Sequence, residues 1–287
     1  MRTTQFSLTL FLAAATSVST LLFTAQPGRA IAPKPSIQSG ELLTKAVFQA
    51  PVLFSRATEL ENLMDQGIAA IDAGEPVAAL EIFEHAIALD PNHAPAYVGK
   101  GYALYQLERY EEAIAAYEQA IALDNSHLYA WIWMGIALDD GGRSAAALAA
   151  YAEAIAINPD NADVWFHQGV TLSRLERYEE SLMAYDKAVG LDPTFEQAWL
   201  NRGVMAGDLG QYEKALQSFE QVTALNPGHV WAWYYKGLAL AMLERQEEAI
   251  AAFERVLELD PGFEQAQENL DILRRRQQQA RVQIARI

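Results

Sequence analysis

The chain has 287 residues, of which 51% are hydrophobic and 20% charged, a composition typical of a soluble protein with an apolar core. Its formal net charge of −16 disfavours nucleic acid as a partner, because phosphate binding requires a basic surface. The chain contains no cysteine, which excludes disulfides, thiol nucleophiles and thiolate metal sites.

The first 30 residues have the features of a secretory signal peptide. Arg2 precedes an uncharged, largely apolar run from Phe6 to Phe23, and small-residue triplets of the A-x-A type end at Ala30 and Ala32. This run would reach about 27 Å as a helix, which is barely enough to span a bilayer. Three interpretations stay open: a cleaved signal, an uncleaved membrane anchor through residues 6–23, and a disordered leader.

The first two interpretations predict an exported protein. Because the positively charged Arg2 stays on the cytoplasmic side, the rest of the chain would lie in the periplasm, in a lumen or outside the cell. An uncleaved anchor would hold it at the membrane with the same orientation.

Residues 31–59 are predicted to form a linker. Pro33, Pro35 and Pro51 interrupt regular structure there, since proline and the residue before it disfavour a helix. Side chains such as Leu42 and Phe48 nevertheless make the segment too apolar for a purely solvated tether.

From residue 60 onward the sequence repeats every 34 residues, in six units: 60–93, 94–127, 128–161, 162–195, 196–229 and 230–263. Each unit has an aromatic or leucine residue four positions before a glycine, alanine or serine twelve positions after it, and an aromatic residue sixteen positions after it. Five of the six units have a proline near their end. The glycines keep this spacing without slippage: Gly67, Gly101, Gly135, Gly169, Gly203 and Gly237.

A period of 34 with this order of residues resembles the tetratricopeptide repeat (TPR). The resemblance implies an all-α, right-handed superhelical solenoid of six helix pairs plus a C-terminal capping helix. In the second unit the pattern predicts helix A over about 95–107 and helix B over about 111–123. We expect Gly101 and Ala113 to let the two helices approach closely, and Tyr117 to fill the volume between repeats. Asp-Pro pairs such as Asp90-Pro91 are expected to end helix B.

A second period of 68 residues overlies the first. The turn between helices A and B has glycine at its middle position in odd repeats and glutamate in even ones, although glycine suits a left-handed C-cap better. The alternation favours growth by duplication of a two-repeat block, and chance variation in a tolerant turn is the alternative. The six residues are Gly74, Gly142 and Gly210, and Glu108, Glu176 and Glu244.

Residues 264–287 are predicted to form a capping helix with a basic end. Leu270 and Leu273 continue the spacing of a helix A that has no helix B, as expected for the end of a repeat array. A basic, partly amphipathic end can contact anionic lipid or an acidic partner, and a solvated helix end is the plainer interpretation. No acid follows Asp271, and the arginines are Arg274, Arg275, Arg276, Arg281 and Arg286.

The sequence offers no pattern of catalytic residues, metal ligands or cofactor-binding residues. His93, His127 and His229 hold the last position of their repeats, which places them in separate loops, and no H-E-x-x-H spacing is present. Phosphate-binding and dinucleotide-binding glycine motifs and the G-x-S-x-G nucleophile motif are also missing. We therefore expect no enzyme activity, no cofactor and no metal.

In TPR proteins the A helices line a concave groove that holds a protein or peptide partner. The resemblance places that groove on side chains that are all apolar or aromatic, which suit an amphipathic helix or an extended apolar segment. The Lys and Asn side chains with which chaperone-binding members hold a terminal carboxylate have no counterpart here. The groove residues are Met64, Ile68, Val98, Tyr102, Tyr105, Tyr129, Ile132, Ile136, Phe166, Val170, Leu200, Val204, Trp231, Tyr234 and Leu238.

Two alternatives to an open groove remain. The position before the repeat glycine is polar in five repeats, as at Lys100 and Arg202, where the family has leucine. A rotated helix A would then turn Ile68, Tyr102 and Ile136 towards intramolecular packing. In the other alternative the chain's own residues 47–54 occupy the groove and compete with a partner.

These patterns predict a non-enzymatic, exported scaffold or adaptor for a protein partner. The alternative is a membrane-tethered assembly factor for an envelope or photosynthetic membrane complex, anchored through residues 6–23. The identity of the partner and the oligomeric state do not follow from the sequence.

Overall fold

The computed structural model describes the backbone of residues 39–284 and the side chains of residues 56–279. All regular structure in this part of the chain is helical, in thirteen α-helices. They are α1 (Ser39–Asp72), α2 (Pro76–Leu89), α3 (Ala94–Gln106), α4 (Tyr110–Leu123), α5 (Leu128–Asp140), α6 (Ser144–Ile157), α7 (Ala162–Arg174), α8 (Tyr178–Leu191), α9 (Glu196–Asp208), α10 (Tyr212–Leu225), α11 (Val230–Met242), α12 (Gln246–Leu259) and α13 (Glu264–Ile284).

The prediction of an all-α array of helix pairs is confirmed. In the second repeat the helices cover Ala94–Gln106 and Tyr110–Leu123, each bound within one residue of the expected position. The odd-numbered helices α1 to α11 are the A helices, the even-numbered helices α2 to α12 are the B helices, and α13 follows without a B partner. The signal or anchor predicted for residues 1–30 lies outside the described residues.

The chain forms two compact units, which we call unit 1, ending at Gly141, and unit 2, beginning at Gly142. In unit 1 each helix from α1 to α5 packs against the next, and α3 also contacts the A helices α1 and α5. In unit 2 each helix from α6 to α12 packs against the next helix along the chain, and α9 also contacts α11. The unit boundary falls in the third repeat, at the turn that contains both Gly141 and Gly142.

Helices of a pair approach closely because the repeat glycine faces the aromatic ring of its helix B. A Cβ atom at Gly101 would lie 2.5 Å from the ring of Tyr117, and one at Gly203 would lie 2.6 Å from the ring of Phe219. Tyr117 is fully buried, which confirms that it fills the core as expected. The glycine is therefore required by packing, because any side chain there would have to displace a ring.

Helix B ends in a turn that does not depend on proline alone. Asp90, which precedes Pro91, leaves helical geometry at φ −135° and ψ 98°, as expected. Asp124 adopts φ −144° and ψ 96° although Asn125 follows it. Its carboxylate accepts a hydrogen bond from the Ser126 backbone N–H at 3.0 Å, an Asx turn that ends the helix without proline.

The tryptophans four positions before the glycines fasten the loops between repeats. The indole N–H of Trp165 donates to the carbonyl oxygen of Pro159 at 2.8 Å, and that of Trp199 donates to Pro193 at 2.9 Å. In each case an aromatic ring packs on helix A while its polar edge satisfies a loop carbonyl, so one side chain serves both packing and loop geometry.

In all six repeats the turn between helices A and B has one residue with a left-handed backbone, and it is the position at which glycine and glutamate alternate. Gly74 and Gly210 have φ +73° and +72°, whereas Glu108, Glu176 and Glu244 have φ +58°, +58° and +59°. Glutamate is strained in this region because its Cβ approaches the following carbonyl. The 68-residue period is therefore an alternation between relaxed and strained versions of the same turn.

The segment predicted as a linker is helical from Ser39 onward. The helix continues through Pro51, so the expectation that this proline interrupts regular structure is wrong. Leu42, Leu43 and Ala46 before it are good helix formers. Its role as a linker stays a prediction. Within residues 39–284 no helix combines the length and hydropathy needed to cross a membrane, and the run Phe6–Phe23 lies outside this range.

Candidate partner-binding surfaces

Nearly half of the side chains predicted to line a groove are buried. Ile68, Tyr102 and Ile136 are among them, at 7%, 6% and 8% exposure. Such side chains have little surface left for a partner, and their role in binding stays a prediction. The buried set is Met64, Ile68, Val98, Tyr102, Ile132, Ile136 and Phe166.

The polar residue before the glycine forms an ion pair with the preceding helix B, as two repeats show. Lys100 pairs with Glu84 of the preceding helix B at 2.8 Å, and Arg202 pairs with Asp186 in the same way at 2.6 Å. A polar contact thus replaces the leucine contact that the family has at this position. It does not decide burial, because Val204 after Gly203 stays partly exposed, whereas Ile136 is buried although apolar Met134 precedes its glycine.

The other predicted groove residues keep surface exposed. Trp231 is the most open of them, at 49% exposure. The partly exposed ones are Tyr105, Tyr129, Val170, Leu200, Val204, Tyr234 and Leu238.

Helix α11 of unit 2 carries a continuous apolar surface, which we call the α11 stripe: Trp231, Tyr235, Leu238 and Met242. The spacing of four, three and four residues places these side chains on one face of the helix. Trp231 and Met242 at its ends are 49% and 57% exposed, and the middle two are partly exposed. Helices α7 and α9 have charged or polar residues such as Asp163, Asn201 and Asp208 among the corresponding positions, so the stripe is specific to α11.

Aromatic contacts beneath the α11 stripe hold it in place. The ring of Trp231 meets that of Phe263 edge-on at 4.9 Å, and Tyr235 stacks on Phe219 at 5.5 Å. The hydroxyl oxygen of Tyr234 accepts a hydrogen bond from the Asn269 side-chain amide at 3.4 Å. A surface fixed in this way loses little side-chain entropy when a partner covers it.

Sequence reasoning missed Tyr235 and Met242. Carrying over the family's groove positions gave two or three side chains per A helix and did not consider the exposed apolar residues beside them. The apolar spacing of four, three and four residues from Trp231 to Met242 was visible in the sequence and would have found both.

Unit 1 has a different surface, which we call the aromatic–acidic face: Tyr102, Tyr105 and Trp133 with Asp72 and Asp140. The Trp133 ring lies 4.5 Å from that of Tyr102 and 5.9 Å from that of Tyr105. The Tyr105 hydroxyl donates to Asp140 at 2.7 Å. Burial is the main cause that raises the pKa of the Tyr102 phenol, and the charge of Asp72 adds to the shift. Both aspartates are exposed, Tyr105 and Trp133 are partly exposed, and Tyr102 is buried.

The phenols of this face stay protonated. Burial is the main cause that raises the pKa of Tyr105 far above its usual value, and the hydrogen bond to Asp140 adds to the shift. Tyr105 therefore acts as a donor that orients the Asp140 carboxylate, and the negative charge of the face belongs to the aspartates.

The two units differ in charge. Residues 56–141 of unit 1 contain fifteen Asp and Glu but only three Lys and Arg, a formal charge of −12. Residues 142–279 of unit 2 contain twenty-one acids and twelve bases, a formal charge of −9 over a longer segment. Acidity is thus more concentrated in unit 1.

The histidines at the ends of repeats have structural roles. His127 Nδ1 accepts a hydrogen bond from the Ala130 backbone N–H at 3.3 Å, and His229 Nδ1 accepts one from Ala232 at 3.1 Å. Each imidazole caps the helix A that follows it. Burial lowers the pKa of His127, which favours the neutral ring that such a cap requires. Among side chains 56–279, no group of three or more His, Asp and Glu residues could hold a metal ion.

The tetratricopeptide repeat profile matches three segments of the sequence, 64–127, 134–194 and 200–263. The chain belongs to the tetratricopeptide repeat family. Members of this family are repeat scaffolds, and their fold supports protein–protein interaction. No curated protein sequence matches the chain.

Solved structures of TPR proteins share this fold. YrrB, a TPR protein with an unusual peptide-binding site, is 26% identical over 65% of this chain and 96% of its own, with a TM-score of 0.57. PilF of Pseudomonas aeruginosa is 17% identical over 75% of this chain and 97% of its own, with a TM-score of 0.65. MamA is 20% identical over 58% of this chain and 92% of its own, with a TM-score of 0.54.

Proposed function

We propose that this TPR protein is a non-enzymatic scaffold that holds an apolar segment of a protein partner on the α11 stripe of unit 2. The observation that carries the proposal is the exposure of Trp231 and Met242 on one helix face, with Tyr235 and Leu238 between them. Contiguous apolar surface of this kind marks interaction sites, whereas single exposed apolar residues do not.

The stripe can supply useful binding free energy. Fully burying a large apolar side chain contributes about 1.5–3 kcal/mol, and half of the surface of Trp231 and Met242 is still available. Tryptophan and tyrosine are also the residues most often found at the energetic centre of interfaces. YrrB, a protein 26% identical to this chain, has a peptide-binding site, which supports a peptide segment as the bound element.

A paired set of substitutions tests the proposal. Trp231→Ser with Met242→Ser should weaken binding of the partner, isolated with the intact chain, by about a hundredfold or more, since about 3 kcal/mol of apolar contact is lost. The control is Met183→Ser with Tyr178→Ser on α8, where exposure is 60% and 40%. Titration calorimetry that finds equal affinity for both double variants would reject the α11 stripe as the site.

We also propose that the protein is exported. The positively charged start, the apolar run Phe6–Phe23 and the small-residue triplets support a cleaved signal. The intact mass of the protein recovered from its native cells tests this, with an N-terminus near Pro33 expected and one near Met1 contradicting cleavage.

The second candidate is a membrane-tethered assembly factor, favoured by the length of the same run. In that case the protein should stay in the membrane fraction through carbonate and high-salt washes. Release by either wash would reject the anchor.

A further inference from the structure

The end of helix α13 extends beyond the packed part of unit 2. Among the side chains that the structure describes, Leu273 is the last buried one, and none of residues 274–279 is buried. The helix nevertheless continues to Ile284, eleven residues further, which is roughly 16 Å of helix. In this stretch Arg274 pairs with Glu254 at 2.7 Å, close to where the helix leaves the unit.

The sequence of this end is that of a basic amphipathic helix. Residues 274–287 contain five arginines and no acid. Ala280, Ile284 and Ile287 follow at intervals of four and three residues, so the helical pattern puts them on one face. A helix of this kind is suited to a surface that combines apolar rings with carboxylates.

Unit 1 presents such a surface, and its residues 56–141 contain only three basic side chains. All three described bases already have partners: Lys100 pairs with Glu84 at 2.8 Å, Arg109 with Glu112 at 2.7 Å, and Arg56 donates to the Leu89 carbonyl. The excess of acids in unit 1 is therefore not neutralised from within its described residues.

The aromatic–acidic face concentrates this charge beside rings. Asp72 and Asp140 offer carboxylates to guanidinium groups, which bind carboxylates through two parallel hydrogen bonds. The partly exposed rings of Trp133 and Tyr105 can accept an apolar face or a stacked arginine.

We propose that the arginine-rich segment 274–287 of one copy of this chain docks on the aromatic–acidic face of unit 1 of a second copy. This goes beyond the proposed function, since it needs no other protein and uses a different surface from the α11 stripe. Segment 274–287 and the aromatic–acidic face are different patches, so the contact is heterologous. Each copy can therefore bind one copy through its segment 274–287, which we call the tail, and another copy through unit 1. An anionic membrane is the competing target of the tail, and the chain's charge of −16 disfavours it.

Sedimentation equilibrium of the full chain is the first test. The average mass should rise with protein concentration, past that of a dimer. Raising the salt from ~0.1 M to ~1 M shortens the screening length from about 10 Å to about 3 Å and should weaken the association at least about tenfold. Full-length protein that stays monomeric throughout the concentration series, with or without binding to phosphatidylglycerol vesicles, would overturn the proposal.

Two variants then test the tail and the aromatic–acidic face separately. A chain that ends at Leu273 lacks the tail. Asp72→Asn with Asp140→Asn removes two negative charges from the aromatic–acidic face, while the amide oxygen introduced at position 140 can still accept the Tyr105 hydrogen bond. Each variant alone should remain monomeric under conditions in which the full chain associates, and their mixture should form a one-to-one complex and nothing larger.

The control removes two charges elsewhere in unit 1, by Glu81→Gln with Glu118→Gln on helices α2 and α4, and should associate as the full chain does. Circular dichroism checks that every variant is folded. A control that loses association as fully as the Asp72 and Asp140 variant, or a mixture that stays monomeric, would contradict docking at this face.

A peptide of residues 270–287 should bind the tail-deleted chain more tightly than a scrambled peptide of equal charge, and equal binding would reject the tail as the specific occupant.

Discussion

Units 1 and 2 are built from the same repeat but present different surfaces. Residues 56–141 of unit 1 have five acids for every base and place two carboxylates beside partly buried rings, whereas residues 142–279 of unit 2 balance their charge better and leave an apolar stripe exposed on α11. The positions that define the repeat face inward in both units and fix the packing. The surfaces that we propose to bind partners therefore use positions that the repeat leaves free, such as Asp140 in unit 1 and Met242 in unit 2.

Because the two units share the same glycine-to-ring packing, the same glycine substitution should lower the free energy of unfolding equally in both. Gly101→Ala in unit 1 and Gly203→Ala in unit 2 would each put a Cβ within 2.5 or 2.6 Å of a ring. Each should lower the free energy of unfolding by about 1–3 kcal/mol through overpacking. Gly190→Ala on α8 meets no atom within 4 Å and should raise stability by about 0.5–1 kcal/mol.

Urea unfolding followed by circular dichroism measures all three glycine variants. A destabilised Gly190→Ala, or a large cost at Gly101 with none at Gly203, would show that the shared packing does not act alike in the two units.

The strained turns should also behave alike. Glu108→Gly in unit 1 and Glu176→Gly in unit 2 relieve a left-handed glutamate at φ +58°. Each should raise the free energy of unfolding by about 1 kcal/mol, because glycine adopts this backbone without a Cβ clash. Thermal unfolding measures the change, with Glu118→Gly inside helix α4 as a destabilising control. No gain at either turn would mean that these glutamates are not strained.

The smallest predicted effect on stability is one that differs between the two units. The Tyr117 hydroxyl in unit 1 is buried without a hydrogen-bond partner among the described residues, whereas that of Tyr185 in unit 2 accepts one from Asn201 at 3.5 Å. Tyr117→Phe should therefore be neutral or stabilising by up to about 1 kcal/mol, and Tyr185→Phe should cost about 0.5–1.5 kcal/mol. Repeats with Phe83 or Phe219 at this position show that the ring alone suffices. Chemical denaturation that finds Tyr117→Phe the more costly of the two would contradict this assignment.

The sequence predicts the repeated parts of this fold well, because each depends on local spacing. The bounds of α3 and α4 and the fit of Gly101 to Tyr117 follow from a strict 34-residue period. The depth of each A-helix side chain does not follow, since it depends on how far the helix is rotated against its neighbours. Tyr102 is buried and Leu238 partly exposed, although both directly follow the repeat glycine of an A helix.

Site-specific photo-crosslinking tests the central claim, that the α11 stripe binds a partner segment, most directly. A photoreactive phenylalanine replaces Met242 on the stripe or, as a control, Met183 on α8, two residues of nearly equal exposure at 57% and 60%. The account predicts that the chain labelled at 242 crosslinks in its native cells to an apolar segment of a discrete partner and that the chain labelled at 183 does not. No crosslink at 242, or the same products from both positions, would contradict it.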